Sequence, residues 1–420
     1  MKDINVHLEN KKASRLFFAY IFIMYSVLYM TKSCFSGALS AIVDEGALTL
    51  SQTTFIQGAF YIAYAPLQIL GGFFADKYSP EKLITIGLLG GAATSAVIFF
   101  NQNYYVMLAA WVFNAIIQFA LWPSIFKIIS SQLVRSDRKN MIFLISLSTS
   151  GGLILAYIVA ACIPKEAWRY NFAVSAISLI ISAIVLDIFC RGLDPILKKD
   201  KEVTVSIKSK DTEHSETVST GRLFLMSGFY AVLVAVLMRF MVESGMKNLC
   251  SAMLMQSYEN VSPSMGNWLS IFIVVGGLAG ILLAKFVLFP RIIKNEITGC
   301  LIMTALSLPL AFVLTLIGKA SIWSIVLSLT VINLLLSTTH LLIQYYNMYF
   351  VKYGKSGTAA GIINAAASAG MALQFCIFGP IAEDLGWHTV TIVWIVMAAI
   401  TVLGFAVALR PANKFKKENT

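Results

Sequence analysis

Apolar runs long enough to cross a bilayer recur along this chain, separated by short polar breaks. Crossing the hydrocarbon layer as a helix takes about 20 predominantly apolar residues, with every backbone N–H and C=O bonded inside the segment. The pattern predicts helices over 16–43, 53–75, 83–100, 104–131, 140–163, 170–190, 223–255, 264–289, 297–318, 321–350, 357–380 and 387–409. The expected fold is an all-α membrane protein with twelve transmembrane helices in two six-helix, pseudo-symmetric halves. One position interrupts the first run: between Arg15 and Asp44 the only charged side chain is Lys32, within "YMTKSCF".

Composition supports this pattern. Of the 420 residues, 58% are hydrophobic and 13% charged, and the mean hydropathy is +0.77, outside the balance of a soluble domain. A net charge of +11 could suggest nucleic acid, but the basic residues are placed as in a membrane protein. Lys2, Lys11, Lys12 and Arg15 precede the first helix; Lys77 and Lys82 follow the second; Arg135, Arg138 and Lys139 follow the fourth. Arg291 and Lys294 follow the eighth, Lys352 and Lys355 the tenth, and Arg410, Lys414, Lys416 and Lys417 close the chain. The alternate breaks, "DEG", "NQN", "KEAWR" and "AEDLGW", are acidic, neutral or weakly basic. The positive-inside rule then puts both termini in the cytoplasm, in what is expected to be a bacterial plasma (inner) membrane.

The first fifteen residues are polar and lack a cleavable signal pattern. The six cysteines fall within or at the ends of predicted helices and form no C-x-x-C pair, so neither disulfide nor metal is expected. The longest polar stretch, between the sixth and seventh helices, reads as a linker. The expected organisation is a first half over 1–190, a cytoplasmic linker over 191–222, a second half over 223–409 and a tail over 410–420. A single chain containing both halves is expected to work as a monomer.

The two halves place a cation at the same depth. Lys32 stands 17 residues beyond Arg15, and Arg239 stands 17 residues beyond Arg222. At about 1.5 Å per residue this is roughly 25 Å into the helix. An ionisable side chain at depth costs about 2.5 kcal/mol or more unless it faces a polar cavity. Equivalent positions in two repeats are where a ligand site is expected. Snorkelling remains the alternative for Lys32, and for Arg239 it is an ion pair with Glu243 four residues on. Tyr25 and Tyr29 share the face of Lys32 and carry hydroxyl donors. His340, inside the tenth helix, is read either as a proton carrier or substrate contact or as a structural hydrogen-bonding group. Lys127 either extends a cationic pocket or serves a gate. The chain has no P-loop, nucleotide-binding glycine fingerprint or metal-spaced cluster. It is therefore not read as an enzyme, and no cofactor is expected.

Several stretches carry a family likeness. "GGFFADKYSPEK" holds Gly72, Asp76 and Lys77 after the second helix, and "AWRYNF" opens the sixth. Both resemble the major facilitator superfamily, in which the first motif implies a gating role for Asp76 and Lys77. Within it the chain is similar to the organophosphate:phosphate antiporter family of glycerol-3-phosphate and hexose-phosphate transporters. Tyr25, Tyr29, Lys32 and Phe35 match that family's spacing in helix 1. "NAIIQFALWPSIFK" matches in helix 4 through Asn114, Gln118, Trp122, Pro123 and Lys127; Pro80 follows "DKYS", and "SGTAAG" precedes helix 11.

The resemblance implies that Lys32 and Arg239 hold the phosphate of a small anionic substrate. From their positions, Tyr25, Tyr29 and His340 are expected as further contacts, and Lys127 and Glu243 as coupling or gating residues. Two departures bear on the substrate. The family's helix 1 cation is typically arginine, and Ser148 stands where glycerol-phosphate transporters have histidine. A lysine offers a point charge in place of a planar fork. The expectation is exchange of an organic phosphate for inorganic phosphate. Proton-coupled symport of a sugar acid and a non-transporting hexose-phosphate receptor are the alternatives.

Overall fold

The computed structural model describes residues 11–131, 137–200, 220–292, 295–353 and 355–419. The helices are α1 (Lys11–Lys32), α2 (Cys34–Asp44), α3 (Leu50–Lys77), α4 (Pro80–Phe100), α5 (Tyr104–Gln118), α6 (Leu121–Ser131), α7 (Arg138–Cys162), α8 (Tyr170–Asp200), α9 (Thr220–Met226), α10 (Phe229–Ser257), α11 (Pro263–Leu283), α12 (Glu296–Leu314), α13 (Ile322–Tyr346) and α14 (Ser356–Asn419). Ten stretches among the described residues are long and apolar enough to cross a membrane. The expected twelve are reached only by adding the less apolar α3 and by dividing the last stretch at Gly386. There the backbone turns at φ 80° and ψ 164° inside α14, a conformation that favours glycine.

Local sequence sets several helix starts. Ser79 holds an extended backbone before Pro80, the first residue of α4, where proline gives up only an N–H that has no partner within the helix. Asn103 accepts from the N–H groups of Tyr105 and Val106 at 2.9 and 3.4 Å. Ser262 accepts from Met265 N–H at 3.2 Å, and Asn295 from Thr298 N–H at 3.0 Å. Each side chain satisfies a donor that the helix itself cannot.

Two compact units form. The first comprises Met1–Ala38 and Ala59–Thr212, the second Leu39–Gly58 and Glu213–Thr420. A buried core of the first gathers Phe17, Ile21 and Leu28 of α1, Leu88 of α4, Ile125 of α6 and Leu179 of α8. Gly152 of α7 lets that helix lie against α1, since a Cβ there would meet Ser26 O at 2.5 Å and Met30 N at 2.8 Å. In the second unit, Phe229 and Val236 of α10, Tyr346 of α13, Phe350 and Phe405 form a core. Within this unit Ser51 N–H donates to Glu383 Oε2 at 2.6 Å, and Ser251 Oγ donates to Ser40 Oγ at 2.9 Å.

Helix α8 runs ten residues past the predicted end at 190, through Arg191 and Leu193 to Asp200. The last helix likewise continues beyond 409. Phe415 is buried and stacks on Tyr353, and Lys416 donates to Glu296 at 2.9 Å. Most of the linker expected over 191–222 lies outside the described residues, as do Lys2, Arg135 and Lys294.

Candidate functional site

In the first unit the site residues converge on the break between α1 and α2. Lys32 ends α1 and is 3% exposed. Its ammonium donates to the Tyr64 hydroxyl of α3 at 3.3 Å. It also lies 4.4, 5.5 and 5.8 Å from the ring centres of Tyr64, Tyr29 and Phe60. Aromatic faces stabilise a desolvated cation by about 2 kcal/mol. Lys32 is thus buried in an aromatic cage, and the snorkelling alternative does not describe it. Tyr25 stands edge-on to Tyr29, centroids 5.2 Å apart, and stacks on Trp122 of α6 at 5.2 Å. The matched residues of helix 1 and helix 4 therefore meet through a pair of rings.

In the second unit a carboxylate organises the site. Arg239 and Glu243 of α10 pair one turn apart, and Lys247, a further turn on, pairs with the other oxygen of Glu243. From α13, Ser337 Oγ donates to Glu243 Oε1 at 2.9 Å, and His340 Nε2 lies 3.1 Å from the same atom. A carboxylate accepts, so the bond to His340 requires the hydrogen on Nε2. Arg239 also donates through Nε and Nη2 to the Leu336 carbonyl at 3.1 and 2.8 Å. Its guanidinium carbon stands 4.6 Å from the centre of the Phe240 ring, which also packs edge-on to the His340 ring at 4.9 Å. Arg239 and Glu243 are 1% and 2% exposed. Burying such a pair is costly, and the further hydrogen bonds from Ser337 and to the Leu336 carbonyl offset part of that cost.

The remaining candidates sit elsewhere. Lys127 of α6 donates to the Ala75 carbonyl at 2.5 Å, tying α6 to the last turn of α3. Lys77 is exposed at the end of α3, its ammonium 5.6 Å from the Tyr78 ring. The backbone of Asp76 belongs to the same turn, and its side chain lies outside the described residues. Ser148 is buried and donates to the Ile145 carbonyl of its own helix at 2.5 Å.

Sequence reasoning missed Lys247, Ser337, Tyr64 and Phe60. Lys247 was findable: it follows Glu243 by four residues, the spacing that had already paired Glu243 with Arg239. The other three come from helices distant in sequence and left no local signal.

Long apolar helices with charges buried and paired among them mark an integral membrane protein with a polar interior site. The Major Facilitator Superfamily model matches residues 21–375, and the chain belongs to that family. It is 23% identical over 411 residues to a probable hexose phosphate transport protein of Chlamydia muridarum, covering 93% of this chain and 88% of that one. It is 22% identical over 391 residues to the phosphoglycerate transporter protein of Salmonella typhimurium, covering 88% and 83%. Among solved structures it superposes on a bacterial homologue of the human lysosomal transporter Spinster, in an inward-facing, occupied conformation. The TM-score is 0.74 at 13% identity, over 98% and 99% of the two chains.

Proposed function

We propose that the protein is a secondary active transporter that moves an organic phosphate in exchange for inorganic phosphate by alternating access. The observation that carries this reading is the guanidinium of Arg239. Its Nε and Nη2 are engaged, while Nη1 is buried with no hydrogen-bond partner. An orphaned buried donor costs about 1–3 kcal/mol, which an anion's oxygen recovers. Lys247 and, in the other unit, Lys32 supply further positive charge. The substrates for which the two relatives are named, a hexose phosphate and phosphoglycerate, are phosphate esters and support the same class.

Tyr25, Tyr29 and His340 join Lys32 and Arg239 as proposed substrate contacts. Asp76, Lys77 and Lys127 are proposed to serve a gate at the end of α3, with Glu243 coupling charge to binding. The distribution of basic residues supports cytoplasmic termini in a bacterial inner membrane. The repeat halves 1–190 and 223–409, joined by 191–222 and followed by the tail 410–420, are the proposed working parts of a monomer.

The test is exchange in proteoliposomes loaded with phosphate and offered labelled glycerol-3-phosphate, glucose 6-phosphate, phosphoglycerate or a sugar acid. Uptake of an ester that depends on Lys32 and Arg239 is expected. A neutral substitution of Arg239 that leaves every uptake intact overturns the reading. The contact between His340 and Glu243 favours one second reading, proton-coupled uptake of a carboxylate. Loss of sugar-acid uptake on adding an uncoupler would select it, and binding without flux would select a receptor.

A further inference from the structure

The cations of the candidate site have counter-charge or π partners supplied by the protein itself. Glu243 offers its two oxygens to Arg239, Lys247, Ser337 and His340. Lys32 rests on the Tyr64 hydroxyl and on three rings. None of these partners is a transported species, and this bears on which steps of a carrier cycle are open.

A carrier whose cations depend on the substrate for neutralisation is confined to exchange. Closing such a site to water without an anion would leave a buried charge uncompensated, at a cost of about 3–5 kcal/mol. At 1.4 kcal/mol per tenfold, that slows the return step by roughly a hundredfold or more. In the second unit part of the compensating charge is already present: one carboxylate stands one helical turn from each of two cations, so closing the empty site leaves one net positive charge there in place of two. An anion bound here would compete with Oε1 for Lys247 and His340, while Oε2 pairs with Arg239.

We infer that Glu243 acts as a resident counter-ion that lets the unloaded carrier reorient, so that the protein also catalyses net, one-way flux of its anion without a counter-substrate. The inference rests on the reading of the site as an anion site and adds an activity that exchange alone does not include. It also assigns Lys247 a role as the cation that Glu243 and the substrate hold in turn.

The experiment uses the full chain in proteoliposomes, with labelled inorganic phosphate and glucose 6-phosphate as probes. The membrane potential is clamped by potassium and valinomycin, because net anion movement carries charge. Initial uptake is measured into vesicles loaded with unlabelled phosphate and into vesicles loaded with chloride only. Net uptake within about tenfold of exchange is expected for the wild-type chain. Glu243→Gln is expected to raise the ratio of exchange to net uptake by about tenfold or more, the change that 1.4 kcal/mol of lost compensation gives. Glu243→Asp is expected to restore the ratio part of the way.

Exchange with net uptake more than a hundredfold slower in the wild-type chain overturns the inference and leaves the anion-transport reading standing. An unchanged ratio in a folded Glu243→Gln protein overturns it as well. If neither probe moves under either loading, the transport reading fails and takes the inference with it. The wild-type ratio decides the matter even where the variant does not fold.

Discussion

The backbone N–H of Ser51 donates to Oε2 of Glu383 over 2.6 Å, placing a carboxylate at the first turn of α3. The positive end of a helix dipole favours an anion there. Burial raises the affinity of this carboxyl for its proton, and the hydrogen bonds from Ser51 and Thr49 lower it by more, so its pKa falls below the ordinary 4.5. Glu383 is an exposed residue in the polar "AEDLG" stretch of α14 that leads to Gly386, between the two apolar runs 357–380 and 387–409. A depressed pKa means that the contact stabilises the fold above the ordinary carboxylate value and that this support is lost as pH falls through the lowered one. The melting temperatures of wild type and Glu383→Gln are therefore expected to differ at pH 7 and to converge as the pH falls below the ordinary carboxylate range. A difference that persists in acid would show that the carboxylate is not its source.

Arg239 and Glu243 are coupled, and the coupling is measurable. Removing either alone leaves the other charge buried with fewer partners, at about 3–5 kcal/mol. Arg239→Ala and Glu243→Ala are each expected to lower thermal stability in detergent. The double variant is expected to lose less than the sum by about 1–3 kcal/mol. Strict additivity would mean that the pair contributes nothing jointly.

Tyr64 separates two ways of holding Lys32. Tyr64→Phe removes the hydroxyl bonded at 3.3 Å and keeps the ring 4.4 Å from the ammonium. The expected loss is about 1 kcal/mol, read as a several-fold rise in KM with kcat little altered. Tyr64→Ala removes the aromatic face as well and is expected to cost about 2 kcal/mol more. Equal effects from the two variants would assign the whole contribution to the hydroxyl.

Gly152 reports on the packing of α1 against α7. A Cβ there would stand 2.5 Å from the Ser26 carbonyl oxygen, so Gly152→Ala is expected to destabilise by about 1–3 kcal/mol through forced displacement of α1. Because Tyr29 and Lys32 lie on the helix so displaced, uptake is expected to fall in parallel with the melting temperature. A stable variant with unchanged uptake would show that the two helices separate at no cost.

The parts of the fold and site that could be read in advance are those encoded within one helix. Apolar length marked the spans, and the i, i+4 spacing of Arg239 and Glu243 marked their pair. The ends of α8 and α14 were misjudged because a helix does not stop where its apolar run stops. Residues such as Leu193, Lys414 and Lys416 propagate it into a polar environment. The bond from Arg239 to Leu336 was invisible for a different reason: its acceptor is a backbone carbonyl, which every residue type carries. Ser337 and Tyr64 were unreadable because their role depends on which helix faces which, and a single chain does not state that.

The helix that contains the last apolar stretch continues until Phe415 is buried and Lys416 is bonded to Glu296. What reads as a charged tail is therefore a strut of the second unit. Trimming the chain after Leu409, as its hydropathy invites, would strip the nearly buried Glu296 of its cation and uncover the aromatic seat of Phe415. An expression design that spares the residues through Asn419 keeps that end of the unit whole.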